Sequence, residues 1–242
     1  MCATCGCDDH DVSEQQMEHN HSKLSREIVV EREILHANNL IAERNRGFFE
    51  AKGIHCINLV SSPGSGKTTL LEKSIKVLRD QEIYVIEGDQ YSSHDADRIA
   101  KTKIPVLQIN TGNGCHLDAE MIHKAIHKLK PTEGSVLIIE NVGNLVCPAL
   151  FDLGEASRVI LMSVTEGEDK PVKYSNMFAS ADLCVFNKID LLPYLDFDLN
   201  KAKQYAHTVN PRLSFMEVSA TKGTNIQQWC DWLEGHVQAI QH

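Results

Sequence analysis

A mostly apolar run, residues 54–60, leads straight into Ser61-Ser-Pro-Gly-Ser-Gly-Lys-Thr68, and an amphipathic run from Thr68 to Leu78 leads out of it. A strand, a tight glycine loop and a helix in direct succession leave little choice of architecture. Gly64 and Gly66 let the backbone turn with its N–H groups pointing inward, and the following helix adds its positive end. That cradle suits a phosphate chain. Lys67 can reach the β- and γ-phosphates and the Thr68 hydroxyl can hold Mg²⁺. The stretch therefore reads as a P-loop, with Gly64, Ser65, Gly66, Lys67, Thr68 and Thr69 as the expected nucleotide contacts. The general pattern opens on Gly where this chain has Ser61.

From Ile54 onward, strand-like and helix-like segments alternate, which predicts a doubly wound α/β domain with a mostly parallel sheet of about seven strands. The strands are expected near residues 54–60, 83–87, 104–109, 135–140, 158–164, 182–187 and 213–218. Helices are expected near 67–80, 92–101, 118–130, 172–180, 197–208 and 223–240. An N-terminal helix over 25–52 has Ser25 as its cap and Gly53 as its stop, and Ile28, Ile34, Leu35, Leu40, Ile41 and Phe48 as the face that packs outside the sheet. Residues 1–24 form a polar, flexible metal-binding tail, and 25–242 the nucleotide-binding domain. A net charge of −9 argues against nucleic acid or an anionic membrane as main partner. No apolar run reaches the ~18 residues a membrane helix needs. With no apolar leader either, a cytoplasmic location is expected, where the cysteines stay reduced.

In such sheets ligands gather at the carboxyl ends of the strands, and the unusual residues fall there. Glu87-Gly-Asp89 ends one strand, and a carboxylate at that point can join the Mg²⁺ shell or orient the attacking water. Ile139-Glu-Asn-Val-Gly143 has the form of a Walker B and switch element, with Glu140 in place of the usual Asp and the Gly143 N–H facing the γ-phosphate. Lys67, Asp89 and Glu140 are the expected catalytic groups, and Thr68 and Asp89 the Mg²⁺ ligands. Asn187-Lys-Ile-Asp190 is a guanine-reading pattern. Asp190 can accept two guanine donors that adenine lacks, the Lys188 stem can lie along the base, and Asn187 can brace the P-loop. Val218-Ser-Ala-Thr-Lys222 adds Ser219 and an Ala220 N–H for guanine O6. Together these favour GTP/GDP over adenine nucleotides.

The cysteines divide by position. Cys56, Cys184 and Cys230 fall inside strand or helix patterns and read as core. Cys2, Cys5 and Cys7, spaced C-x₂-C-x-C, can converge on one soft or borderline ion, with an unligated tail as the alternative. Cys115 and His116 follow one strand and Cys147 follows the switch; two thiols and an imidazole match a Zn²⁺ or Ni²⁺ site, against unrelated loop thiols. His123 and His127, at i and i+4, could in principle bind a metal but read better as an exposed helix face; His10, His19 and His21 read as solvated linker histidines.

With those residues in view, the chain closely resembles the hydrogenase maturation GTPases that deliver nickel, the HypB family, a P-loop GTPase group of the SIMIBI class. The likeness runs from about residue 28 onward and includes Cys2-x-x-Cys5-Gly-Cys7. Its most specific pieces are Ser61–Thr69, Glu87–Asp89, Asn110–Asp118, Glu140–Pro148 and Thr165–Pro171, and Ser61 is what this family carries. The resemblance implies a GTPase that takes up Ni²⁺ through Cys2, Cys5 and Cys7; with no obvious glutamine or arginine finger after Gly143, its turnover is expected to be slow. It also implies a GTP- and metal-dependent homodimer with Cys115, His116 and Cys147 of each chain at the interface. Transfer would go to hydrogenase maturation partners and the hydrogenase large subunit. The rival readings are a P-loop small-molecule kinase and a passive metal store.

Overall fold

The computed structural model describes residues 14–89 and 98–240. Seven strands form one sheet in the order β3-β2-β4-β1-β5-β6-β7. They are β1 (His55–Ser61), β2 (Ile83–Asp89), β3 (Val106–Asn110), β4 (Val136–Gly143), β5 (Ser157–Ser163), β6 (Leu183–Asn187) and β7 (Ser214–Glu217). Every neighbouring pair is parallel. The helices are α1 (Glu14–Ala51), α2 (Lys67–Val77), α3 (Ala119–Leu129), α4 (Lys170–Lys173), α5 (Ser175–Ala179), α6 (Leu199–Val209) and α7 (Ile226–Ile240). The segment expected as a helix near 92–101 lies mostly outside the described residues; 98–100 are helical.

Both faces of a parallel sheet are covered by helices, so its strands are apolar on both sides. On one face Ile57, Leu59, Val136, Ile138, Val159, Leu161, Leu183 and Val185 meet α2 through Leu70 and Leu71 and α7 through Trp229 and Leu233. The alternate residues divide the other face. Leu137 and Ile139 pack with α3 (Ile122, Ile126) and Phe49 of α1, while Ile160, Met162 and Phe186 pack with α5 (Phe178) and α6 (Ala202, Ala206). Burying one Leu or Ile side chain contributes roughly 1.5–3 kcal/mol, so these layers hold the strand ends firmly in register.

Two helices depart from expectation. α1 starts at Glu14, inside the stretch expected to be tail, and Ser25 lies within it; no Gly or Pro interrupts the sequence between residue 14 and Gly47, so nothing stops the helix from extending. The part up to Ala37 is a compact unit of its own. From Asn38 onward the buried positions are Asn38, Ala42, Asn45 and Phe49, while Ile34 and Leu40 are exposed. The buried face is partly polar because Asn38 donates to Asp152 O (2.8 Å) and Asn45 to Ala119 O (2.8 Å) and Leu153 O (3.1 Å). The helix expected over 172–180 is two short ones, broken at Tyr174. Among the described residues no helix is long and apolar enough to cross a membrane.

Candidate functional site

β1 lies at the centre of the sheet between β4 and β5, where the chain's winding reverses, and the loop leaving its carboxyl end is Ser61–Gly66. Gly66 caps α2 in the left-handed region, φ 100°. A Cβ there would meet Asn187 Nδ2 at 2.6 Å, so only glycine fits. Asn187 sits at the end of β6 and donates from Nδ2 to Ser65 O (2.9 Å), and Lys188 Nζ reaches Gly64 O (2.8 Å). Asp190 Oδ1 accepts from Ser219 Oγ (2.6 Å). The Ala220 N–H, expected to face a base, donates to Asn187 Oδ1 at 3.1 Å. These contacts bring together the ends of β1, β6 and β7 as one assembly.

On the other side, Pro63, Gly64 and Lys67 share a cleft of about 280 Å³ with Glu87, Gly88, Asp89 and the stretch from Glu140 to Gly143. The Thr68 hydroxyl donates to Glu140 Oε1 (2.9 Å) and Lys67 Nζ to Ser61 Oγ (2.8 Å). Gly143 pairs with Ser61, and a Cβ on it would meet Pro63 Cα at 3.0 Å; a side chain would push the switch off the loop. Glu87, in register with Glu140 on β2, is only 2% exposed. The cleft can hold a triphosphate beside several hard oxygen donors.

Sequence reasoning gave no role to Glu166 and Lys170. Glu166 Oε1 accepts from Ser65 Oγ (2.7 Å) and from the Ser163 N–H (3.0 Å), while Lys170 donates to both Ser62 Oγ and Glu166 Oε2. Burial pushes the Lys170 ammonium below its ordinary value. The available signal was their place just after β5, next to β1. Arg98, also missed, grips Glu72 on α2 (2.7 Å) and reaches Thr69 Oγ1 (3.3 Å).

The loops after β3 and β4 carry the second cluster. Cys115 Sγ and Cys147 Sγ lie 2.6 Å apart, and His116 Nδ1 is 3.8 Å from Cys115 Sγ. The three ligand atoms all fall within 4.8 Å of one another. Cys147 opens a short 3-10 turn, Cys147–Ala149. Asn144 ties the loops together, donating to Cys115 O (3.3 Å) and accepting the Val146 N–H (2.9 Å). His116 stacks on Phe151 at 3.9 Å between centroids, and burial lowers its imidazole, opposed by the Asp118 charge. The Cys115 thiol is raised, first by its hydrogen bond to Cys147 and then by burial. Cys56, Cys184 and Cys230 are buried, and burial pushes all three thiols up, so they stay protonated core groups. Cys2, Cys5 and Cys7 lie outside the described residues.

A buried polar chain connects the end of β4 to the turn that carries Cys147. Asn141 donates to Asn58 Oδ1 (3.2 Å) and Asn58 to Glu155 Oε1 (3.1 Å). Arg158 pairs with Glu155 (2.7 Å). The same guanidinium donates to Phe151 O (3.0 Å) and Ala149 O (3.4 Å), at the far end of the turn that begins with Cys147.

Residues 55–217 match the family described as CobW/HypB/UreG, nucleotide-binding domain. The chain belongs to that family. Within it, the chain is 54% identical over 211 residues to the hydrogenase maturation factor HypB of Azotobacter chroococcum, covering 87% of this chain and 69% of that one. It is 54% identical over 210 residues to the HypB of Escherichia coli strain K12, covering 86% and 72%. Among solved structures, HypB from Helicobacter pylori in complex with nickel superposes with a TM-score of 0.78 at 34% identity, covering 84% of this chain and 96% of that one. HypB from Archaeoglobus fulgidus gives 0.77 at 39%, covering 83% and 98%. As a HypB-type member of the family, the chain has the P-loop nucleotide-binding fold expected from its sequence.

Proposed function

We propose that the protein binds and hydrolyses GTP and uses that cycle to carry Ni²⁺ to a nickel–iron hydrogenase during its maturation. The observation that carries this reading is one of placement. β4 brings Glu140 to the Thr68 hydroxyl at 2.9 Å, and the same segment runs on to Cys147 beside Cys115 and His116. A nucleotide site and a soft-ligand site thus share one strand end. The relatives' name, hydrogenase maturation factor HypB, and the nickel held by the Helicobacter pylori protein support the cargo.

In this account Lys67 contacts the β- and γ-phosphates, while Gly64, Ser65, Gly66, Thr68 and Thr69 line the cradle and the Gly143 N–H faces the γ-phosphate. Asp190 accepts two guanine donors, Lys188 lies along the base, and Ser219 and Ala220 complete the base pocket. Thr68, Asp89 and Glu140 present hard oxygens, which suit Mg²⁺; bound with the triphosphate, it would neutralise charge on the β- and γ-oxygens. Glu140 and Asp89 are the groups positioned to orient the attacking water. Cys2, Cys5 and Cys7, ahead of α1, take up Ni²⁺, and Cys115, His116 and Cys147 hold Ni²⁺ or Zn²⁺.

The protein works as a homodimer closed through its nucleotide face. Tyr194 and Leu195, just past Asp190, are 83% and 38% exposed, and Val146 and Leu150, flanking Cys147, are 59% and 44% exposed. Apolar side chains left in water around both sites suit a second copy. Maturation partners and the hydrogenase large subunit receive the metal in the cytoplasm.

The test is phosphate release from GTP and ATP, run beside sedimentation with and without Ni²⁺. Slow GTP-selective turnover and a dimer that needs nucleotide and metal are expected. Equal ATP turnover, or Ni²⁺ transfer unaffected by Lys67→Ala, contradicts the reading.

A further inference from the structure

A second pair of imidazoles stands apart from the thiol cluster, on α3. His123 and His127 are one helical turn apart, and their Nε2 atoms lie 3.2 Å from each other. The rings meet edge to face, 4.6 Å between centroids at 87°. Taken alone, two neighbouring histidines on a solvated helix face would mean little. What sets this pair apart is its support from α1.

Asn45 is fully buried. Its Nδ2 donates to Ala119 O and Leu153 O, at 2.8 and 3.1 Å. Two carbonyl partners settle which end of the amide is nitrogen, so Oδ1 is the acceptor that faces His123 Nδ1 at 3.1 Å. His123 therefore carries its proton on Nδ1, and its Nε2 presents a bare lone pair towards His127. A metal-bound histidine characteristically donates its other ring N–H to such an oxygen, which fixes tautomer and ring orientation. Here that outer contact is already built, from a buried residue on a different helix.

The separation also fits. Two nitrogens each about 2.0–2.1 Å from one ion, 3.2 Å apart, subtend an angle of about 100° at the metal, between octahedral and tetrahedral values. The i, i+4 spacing brings both rings to one face of the helix. We propose that His123 and His127 form a separate divalent-metal site for a borderline first-row cation, Ni²⁺, Cu²⁺ or Zn²⁺, with water in the remaining positions. Imidazole nitrogen selects these ions over Mg²⁺ and Ca²⁺, which take oxygen. On binding, each Nε2 replaces one water of the ion; His127, whose Nε2–H donates to the bare His123 Nε2 in the metal-free protein, loses that proton to water and takes one up on Nδ1, so the imidazole stays neutral. No oxidation state changes. With two protein ligands and no thiolate, the site is weaker than the cluster at Cys115, His116 and Cys147, and does not depend on it or on GTP.

The test is a NiCl₂ titration of the full chain, following heat and, in parallel, the sulfur-to-nickel charge-transfer absorption that reports only thiolate sites. Once that absorption has saturated, a further equivalent of Ni²⁺ is expected to bind without adding to it. His127→Gln and His123→Gln should each weaken this late step at least tenfold and leave the charge-transfer phase unchanged. Because His127 is exposed, its substitution leaves the fold intact, which a thermal melt verifies. The chain with Cys115→Ser and Cys147→Ser should retain the late step. Titrations of the parent chain and both histidine variants that coincide overturn the proposal, as does a late step that excess Mg²⁺ competes away.

Discussion

The glycine loop after β1 and the thiol-bearing loops after β3 and β4 sit on the same edge of the sheet but are held very differently. The glycine loop is tied from both flanks, by Asn187 and Lys188 from β6 and by Glu166 and Lys170 from beyond β5. The thiol-bearing loops hold each other through Asn144 and the Cys115–Cys147 contact. The glycine loop is thus braced by two neighbouring strand ends, whereas the thiol loops are braced mainly by each other. The loop that carries Cys147 begins at Gly143, and the polar chain through Asn58, Glu155 and Arg158 joins β4 to the end of that loop through the core.

The largest expected effect tests the rigid side. Asp190→Asn should remove GTP preference over ATP by more than a hundredfold and favour xanthosine triphosphate, since two hydrogen bonds to a carboxylate contribute ~1.5–3 kcal/mol each. Competition binding with the three nucleotides reads this directly, and undiminished GTP selectivity would move base recognition elsewhere. Next comes the connection between the sides. Arg158→Ala strands the Glu155 charge in the core and frees the Phe151 and Ala149 carbonyls, a loss of about 3–5 kcal/mol. Urea unfolding measures it, and a loss below about 1 kcal/mol would mean that the buried chain is not what holds the turn.

Two further effects concern the loops that carry the thiols. Cys147→Ser should weaken metal binding by about a hundredfold or more, beyond the 10–100-fold typical of losing a mere supporting contact, and leave GTP binding by the single subunit unchanged. Isothermal titration of both ligands decides it; a parallel fall in GTP affinity of the metal-free single subunit would mean that Cys147 supports the nucleotide site directly. Asn144→Ala, which removes a surface tie worth about 0.5–1.5 kcal/mol, should loosen metal affinity by a few fold with nucleotide affinity intact. If instead the nucleotide weakens and the metal does not, the tie belongs to the phosphate side.

How much of this could be read from the chain follows the same division. The central strands were legible because each is a short, mostly apolar run bounded by loops, as parallel strands buried on both faces must be; the edge strands β3 and β7 are less buried and more polar. The glycine loop and Asn187–Asp190 were legible because each function needs particular residues at fixed spacing. α1 was misread in its face, because Asn38 and Asn45 bury themselves against carbonyls that exist only once the fold has formed. Glu166 and Lys170 were passed over for a related reason. Their partners, Ser65 and Ser62, are about a hundred residues away in sequence, and no local pattern announces a contact that the sheet order creates. The Asn45 support for His123 belongs to that class as well.

We propose that nucleotide and metal share one two-state element at the end of β4, a coupling motivated by their placement on one strand end. It is tested most directly by measuring Ni²⁺ affinity in a chain carrying Cys2→Ser, Cys5→Ser and Cys7→Ser, once with GDP and once with a non-hydrolysable GTP analogue. The account predicts a change of about tenfold, equivalent to ~1.4 kcal/mol, with Ni²⁺ shifting GTP-analogue affinity by the same factor because coupling is reciprocal. Dimer mass should change in step, and Cys147→Ser should abolish the shift. Identical Ni²⁺ affinities in the two nucleotide states would contradict it and leave Cys115, His116 and Cys147 as static ligands.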